Sequence, residues 1–376
     1  MGNCDCDRND TTTNGIENDE KIKATDFTKL YPIAKLSLGQ VWKVTSNIKD
    51  KSKNFIDNQL NEQSKIFAMK EISKAKAYLT KTTKSIINQI KFLEMFDYKL
   101  LCKMYYAFQD TNFLYIITDY FSGGDLRYMI CEREYFSEQE TKFIGACIVL
   151  SLRYLHGKNV IHRDLKPETL YFDEKGYLHL TEFGISLECK KGEEVTNASG
   201  TPGYMAPETI INRPHDFCAD YFALGVILYE LMMGFRPFQG KDRKEIKENM
   251  FTIKINLDKD DIPEDWHDMN VINLINQLLN LKKKKRLGNN GIEEIMTHPW
   301  FKDVQWEQIE NFEFKSPFKF DKEDNFDHSY VNKIDDDSIY EGKKQIYINA
   351  INDSLVFNNF YYSFEEKEKE ENKKNK

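Results

Sequence analysis

A chain of 376 residues with 40% hydrophobic and 30% charged content is long enough for one large two-lobed domain or two ordinary ones, and its composition fits a globular protein. The net charge of −8 argues against nucleic acid as the main partner, and no apolar run is long enough to span a bilayer. The seven cysteines (4, 6, 102, 131, 147, 189 and 218) form no CxxC pair and suit a reducing, cytoplasmic compartment, most of them as small core residues.

Residues 1–26 are rich in Asp, Asn and Thr, lack apolar periodicity and read as disordered, with no secretory leader. The opening Met-Gly-Asn-Cys-Asp-Cys offers Gly2 for myristoylation and Cys4 and Cys6 for palmitoylation, although Cys6 stands where the usual signal has Ser or Thr. Two acyl chains would anchor the protein to a membrane and one would not. The alternative is an unmodified polar leader. From Phe27 to about Tyr120 the pattern favours strands, over Ile33 to Val44, Ile66 to Ile72 and Phe113 to Thr118. Residues 46–65 read as a long polar loop, and 83–96 as a helix with Ile86, Ile90 and Leu93 on one face. After Gly123-Gly124 the chain turns helical. Ser137 with Glu140 forms a capping box that opens a helix over 137–156, and Asp220 to Met233, apolar all round, predicts a buried helix. From Phe301 the composition becomes aromatic and acidic, as expected of an extended tail lying on a domain and ending in a charged, solvated stretch over 365–376. There are no internal repeats.

The chemistry lies in short motifs. Residues 162–169 read His-Arg-Asp-Leu-Lys-Pro-Glu-Thr, residues 182–184 Glu-Phe-Gly, residues 67–70 Phe-Ala-Met-Lys and residues 200–208 Gly-Thr-Pro-Gly-Tyr-Met-Ala-Pro-Glu. In order and spacing these resemble the catalytic loop, metal-binding turn, lysine strand and activation-segment end of eukaryotic Ser/Thr protein kinases. The tail resembles that of the AGC group, which includes the cyclic-nucleotide-dependent kinases. The resemblance implies an α+β, bilobal kinase fold. A β-rich N-lobe would cover 27–120, a helical C-lobe 121–301, and an AGC-type tail 302–376.

It also implies roles. Lys70 would reach the α/β-phosphates of ATP, Asp164 would accept the substrate hydroxyl's hydrogen bond, and Lys166 would meet the γ-phosphate. Gly39, Val41, Ala68, Gln89, Thr118 at the gatekeeper position, Tyr120, Tyr171 and the tail aromatic Phe326 would line the nucleotide site. Thr201 would lie beside the substrate. Glu208 would pair with Arg286, and Asp220 would hold the catalytic loop. Leu93, Met104, His162 and Phe183 would stack into a spine joining the lobes. Asp125, Glu168 and Glu230 occupy positions where AGC kinases hold substrate arginines. Phe357 and Phe360, in a hydrophobic-motif-like Phe-Asn-Asn-Phe-Tyr-Tyr, would dock the tail on the N-lobe, with Tyr361 replacing the phosphorylatable residue. Arg163 would meet an activation-segment phosphate, but Asn197 stands where the family usually has its Thr.

Five departures converge on the nucleotide pocket. The glycine loop reads Ala34-Lys-Leu-Ser-Leu-Gly39-Gln-Val41 and keeps only its last glycine, so side chains at 34 and 36 obstruct close approach to phosphate. Gln89 replaces the glutamate that should pair with Lys70. Thr169 replaces one Mg²⁺ ligand, and Glu182 moves the other carboxylate out by one methylene. Tyr171 stands where Leu is usual beneath the adenine. The expectation is a kinase-fold protein that transfers phosphate poorly or not at all and works as a scaffold or allosteric regulator of a protein partner. The alternative is an active kinase using ATP with Mg²⁺ or Mn²⁺ on basic Ser/Thr sequences, and a third reading is a membrane-recruited adaptor presenting an acidic surface.

Overall fold

A computed structural model describes residues 21–48, 65–133, 135–320, 325, 348–349 and 356–374. Gly2, Cys4, Cys6, Phe326 and nearly all of the 46–65 segment lie outside them. The leader's expected irregularity ends early. Residues 24–26 form a single 3-10 turn, and Ile22 and Ala24 pack on the N-lobe core.

The β-favouring N-terminal segments form one antiparallel sheet. Its strands are β1 (Phe27–Leu36), β2 (Gly39–Ser46), β3 (Ile66–Ser73), β4 (Met104–Gln109) and β5 (Phe113–Asp119), in the order β1-β2-β3-β5-β4. The run from Ile33 to Val44 splits into two strands. Leu36 pairs with Gly39 across a turn at Ser37-Leu38, and the Ser73 amide holds the Leu38 carbonyl at 2.8 Å. The surviving glycine of this loop is needed for packing. A Cβ on Gly39 would stand 1.9 Å from the Glu71 carbonyl oxygen of β3. Gly39→Ala is therefore expected to destabilise the protein by about 1–3 kcal/mol, read as a lower urea midpoint at unchanged slope.

Two helices follow β3. α1 (Lys74–Leu79) is capped by the Ser73 hydroxyl, and α2 (Thr83–Met95) buries Ile86, Phe92 and Leu93 beneath the sheet. In the C-lobe, α3 (Leu126–Glu132) opens on the Asp125 carboxylate. α4 (Glu138–Gly157) opens on the expected box, with the Glu140 amide donating to Ser137 Oγ and the Ser137 amide donating to Glu140 Oε2. β6 (Leu170–Phe172) and β7 (Leu178–Leu180) form a small sheet that carries the catalytic loop and the metal-turn segment. α5 (Cys218–Met233) is buried on every side, as its unbroken apolar sequence requires, and stops at Gly234 with φ of 77°.

The tail lies on both lobes. Phe314 stacks on Phe143 of α4 at 5.9 Å, and Phe318 meets Phe172 of β6 at 4.7 Å. Asn325 crosses the interlobe hinge, its amide donating to the Ser122 carbonyl (2.8 Å) and its side chain to the Gly123 carbonyl (3.0 Å). A Cβ on Gly124, whose φ is +74°, would strike the Asn325 carbonyl, so that glycine also makes room for the tail. Phe357 and Phe360 are buried together in the cluster containing Ile72, Ala77 and Ile86. Beyond them, β8 (Tyr362–Ser363) adds to the sheet along β4, with Tyr362 opposite Ala107. The stretch expected to be charged and solvated is mostly exposed, and it forms a helix, α6 (Phe364–Lys374). Tyr106 donates to Glu365 (2.9 Å), and Lys367 donates to the Glu94 carbonyl (2.7 Å).

Candidate active site

Three side chains form the catalytic corner. Thr201 Oγ1 donates to Asp164 Oδ1 at 2.7 Å, Lys166 Nζ donates to Thr201 Oγ1 at 2.7 Å, and Lys166 lies 2.9 Å from Asp164 Oδ2. Asp164 and Lys166 are two residues apart on one loop. Thr201 arrives from the activation segment, so the corner exists only when that segment is folded onto the loop. The loop itself is held from below. Buried Asp220 accepts from the His162 amide (2.9 Å), the Arg163 amide (2.9 Å) and the His156 ring (2.9 Å). Burial pushes its carboxyl up, but these donors outweigh burial and hold it below the ordinary value of 3.8. Its stabilising contribution is thus full above pH 3.8 and falls away as the pH drops toward the lower folded value. Acid titration followed by circular dichroism should show a loss of stability in that window, and Asp220→Asn should remove that component.

Arg163, with φ of +68°, bonds backbone carbonyls and, among the described residues, no acid. Its Nε donates to the Ile185 carbonyl at 2.7 Å, and a terminal nitrogen donates to the Asn197 carbonyl at 3.0 Å. Burial lowers its guanidinium pKa. Farther along, Arg286 forks both oxygens of Glu208 (2.7 and 2.9 Å) and donates to the Cys218 carbonyl at 2.8 Å, as expected of the pair that ties the segment to the C-lobe. Phe183 is fully buried, edge-on to His162 (5.5 Å) and Phe96 (5.0 Å), while Leu93 and Met104 are buried in the same cluster.

Between the lobes is a cleft of about 130 Å³, open at its mouth. Val41, Ala68, Lys70, Gln89, Thr118, Tyr120, Tyr171 and Glu182 all line it, together with Ile33, Ala34 and Asp125. Ala68 and Lys70 share a face of β3, and Ala68 sits opposite Thr118. Tyr171 and Phe121 form an aromatic floor, 6.1 Å between centroids. Gly39 is not among the lining residues, and its backbone packs against Glu71 of β3.

The polar end differs from expectation in three ways. First, the partner of Lys70 is Glu182, at 2.5 Å, and not Gln89. The extra methylene lets this carboxylate reach the lysine from a backbone at φ +62°. Second, the Thr169 hydroxyl turns back on its own loop. It donates to the Lys166 carbonyl (2.9 Å) and accepts from the Lys166 amide (3.3 Å), which braces the turn. Third, α2 is fastened to the Glu-Phe-Gly turn by Asn88. Its side-chain amide donates to the carbonyls of Phe183 (3.3 Å), Gly184 (3.1 Å) and Ser186 (2.8 Å). Asn88 was not singled out from the sequence. Its only signal was its place beside the departing Gln89.

The expected substrate carboxylates do not form one open cluster. Asp125 caps α3, accepting from the Tyr128 amide at 2.9 Å, and burial raises its carboxyl above the ordinary value. Glu168 and Glu230 are both bonded to Arg127, a residue sequence reasoning passed over.

The cleft suits a nucleotide: an apolar slot, a backbone hinge and a lysine at the deep end. Metal fits less well. Mg²⁺ is commonly held by one or two carboxylates plus phosphate oxygens, so Glu182 with a bound triphosphate would suffice for one ion. For a second, the Thr169 hydroxyl is buried and keeps one lone pair beyond the one that takes the Lys166 amide. Among the described residues no group of three or more His, Cys, Asp or Glu side chains is placed to hold a metal ion.

A two-lobed fold closed over such a cleft, with an Asp-Lys-Thr corner on its floor, is the architecture of a protein kinase domain. The chain belongs to the protein kinase family, whose domain model matches residues 56–301. It is similar to AGC-group Ser/Thr kinases. These include the serine/threonine-protein kinase sgk-1 of Caenorhabditis elegans, 36% identical over 300 residues, which covers 78% of this chain and 60% of that protein. A probable serine/threonine-protein kinase of Dictyostelium discoideum is 32% identical over 337 residues, 86% of this chain and 70% of that one. Human cGMP-dependent protein kinase 2 is 34% identical over 285 residues, 73% of this chain but 36% of its own length.

Proposed function

We propose that this protein binds ATP in the interlobe cleft and transfers its phosphate to protein Ser or Thr only slowly, so that its main work in signalling is done as a closed, kinase-shaped binding platform. One observation carries this reading. Lys70 and Glu182 are each other's charge partner at 2.5 Å, because position 89 supplies no carboxylate. In a transfer reaction Lys70 is wanted by phosphate and the acid by metal, and here each must give up the other first. Thr169 is at best a weak ligand, because its hydroxyl is shorter than an asparagine side chain and bonded to its own loop. A faster enzyme is the second reading, favoured by the intact corner of Asp164, Lys166 and Thr201.

The two are separated by measuring thermal stability with ATP and Mg²⁺ or Mn²⁺, together with phosphate transfer. Saturation a hundredfold above Kd should stabilise the protein by about 2.7 kcal/mol. Transfer should fall well below the ~1–100 s⁻¹ usual for kinases and vanish in Asp164→Asn. No thermal shift would remove the nucleotide from the proposal, and transfer at the usual rate would remove the attenuation.

A further inference from the structure

Arg127 stands in the second position of α3 and reaches across the floor of the groove beside the catalytic corner. Its Nε donates to Glu168 at 2.9 Å. One terminal nitrogen donates to Glu230 at 2.9 Å, and the other to the second Glu230 oxygen at 3.2 Å and to the Tyr204 hydroxyl. Tyr204 in turn donates to Glu230 at 2.5 Å. These partners come from separate elements that surround the catalytic loop. Glu168 lies two residues beyond Lys166, Tyr204 three beyond Thr201, and Glu230 on α5. A peptide that presents a hydroxyl to Asp164 therefore passes along this cluster. Two convergent carboxylates, one of them 4% exposed, would otherwise be a strong trap for a cation on that peptide.

We infer that Arg127 is a built-in occupant of this acidic subsite, a specificity-determining residue that takes the place of a substrate or partner arginine, so that the groove accepts peptides without selecting a basic residue there. The fork geometry supports this. A guanidinium with all three nitrogens bonded to Glu168, Glu230 or Tyr204 fills the site as an incoming arginine would, and it is covalently present at high effective concentration. Burial alone would weaken its charge, but the bonds to Glu230 outweigh that and keep it protonated. With one cation against two carboxylates the cluster retains a net charge of −1, so acidic peptides gain nothing either. The inference rests on the protein Ser or Thr substrate of the preceding section and not on the rate of phosphate transfer.

The test is binding, which needs neither metal nor transfer. Fluorescent serine peptides that carry arginine at each flanking position in turn are titrated against the full chain, with alanine at that position as the reference. The wild type should discriminate less than about twofold. Arg127→Ala should favour arginine about tenfold or more at one position, and the added change Glu168→Gln should reduce that gain. A wild type that already prefers arginine tenfold overturns the inference, and so does a folded Arg127→Ala that gains nothing or binds no basic peptide. If Arg127→Ala does not fold, the wild-type comparison decides alone. A second readout uses no peptide: methylguanidinium, and not methylammonium, should raise the melting temperature of Arg127→Ala. Failure of nucleotide to bind would refute the preceding section and leave these outcomes unchanged.

Discussion

Changing Glu182 to Asp, Thr169 to Asn and Gln89 to Glu together is expected to raise phosphate transfer by about 10²–10⁴-fold over the wild type. The gain should be far from additive. Glu182→Asp alone shortens the carboxylate that Lys70 depends on at 2.5 Å, and Gln89 supplies no charge to replace it. That single variant should therefore be no faster than the parent and less firmly ordered around Lys70. Adding Gln89→Glu gives the lysine a partner on α2, which Asn88 already holds against the Glu-Phe-Gly turn, and frees the acid at 182 for a cation. Thr169→Asn then supplies the reach that a hydroxyl folded onto the Lys166 carbonyl lacks. Mg²⁺ accepts little deviation from octahedral geometry at about 2.1 Å, so the three changes act as a unit. The measurement is steady-state transfer of labelled γ-phosphate to a serine peptide for all single, double and triple variants. A triple variant that binds ATP and transfers no faster than the parent would refute the account of the site.

The second large effect concerns stability. Arg286→Ala and Glu208→Ala should each cost about 3–5 kcal/mol. Both side chains are buried, their bond is two-pronged, and the guanidinium also lies over the Phe222 ring at 5.0 Å. Removing either leaves an uncompensated charge in the C-lobe interior. For a domain of this size the melting temperature should fall by on the order of 10 °C. Arg286→Lys should recover only part of the loss, because an ammonium cannot reproduce the fork. Replacing both by apolar residues of similar volume should cost less than either single change, the signature of a charge left alone as opposed to a lost attraction. Calorimetry of the four variants checks this. Single losses below about 1 kcal/mol would show that water or rearrangement compensates the orphan.

Much of this was legible in the sequence. The Ser137-Glu140 box, the apolar run around Phe222 and the spacing of Asp164, Lys166, Thr201, Glu208 and Asp220 are local or strongly patterned signals, and each residue stands where its motif places it. What escaped were relations between side chains distant in sequence. Nothing local says that Glu182 reaches Lys70, that Thr169 turns inward, or that Arg127 meets Glu230. Gly39 carried the opposite lesson. Its type was legible and its packing against β3 was not, because the nearest atom to its missing Cβ is a carbonyl on a neighbouring strand. The final helix was missed because its sequence is almost wholly charged, and its anchors are Tyr106 and the Glu94 carbonyl on the other side of the N-lobe.

The short strand Tyr362–Ser363 lies against the outer rim of the sheet. A rim of unpaired amides and carbonyls is sticky, and proteins commonly shield it. Here the shield is supplied by the far end of the same polypeptide. Recombinant fragments that stop at the conventional catalytic boundary would leave that rim bare and the Phe357/Phe360 cavity empty, so material for biophysics should extend through residue 374.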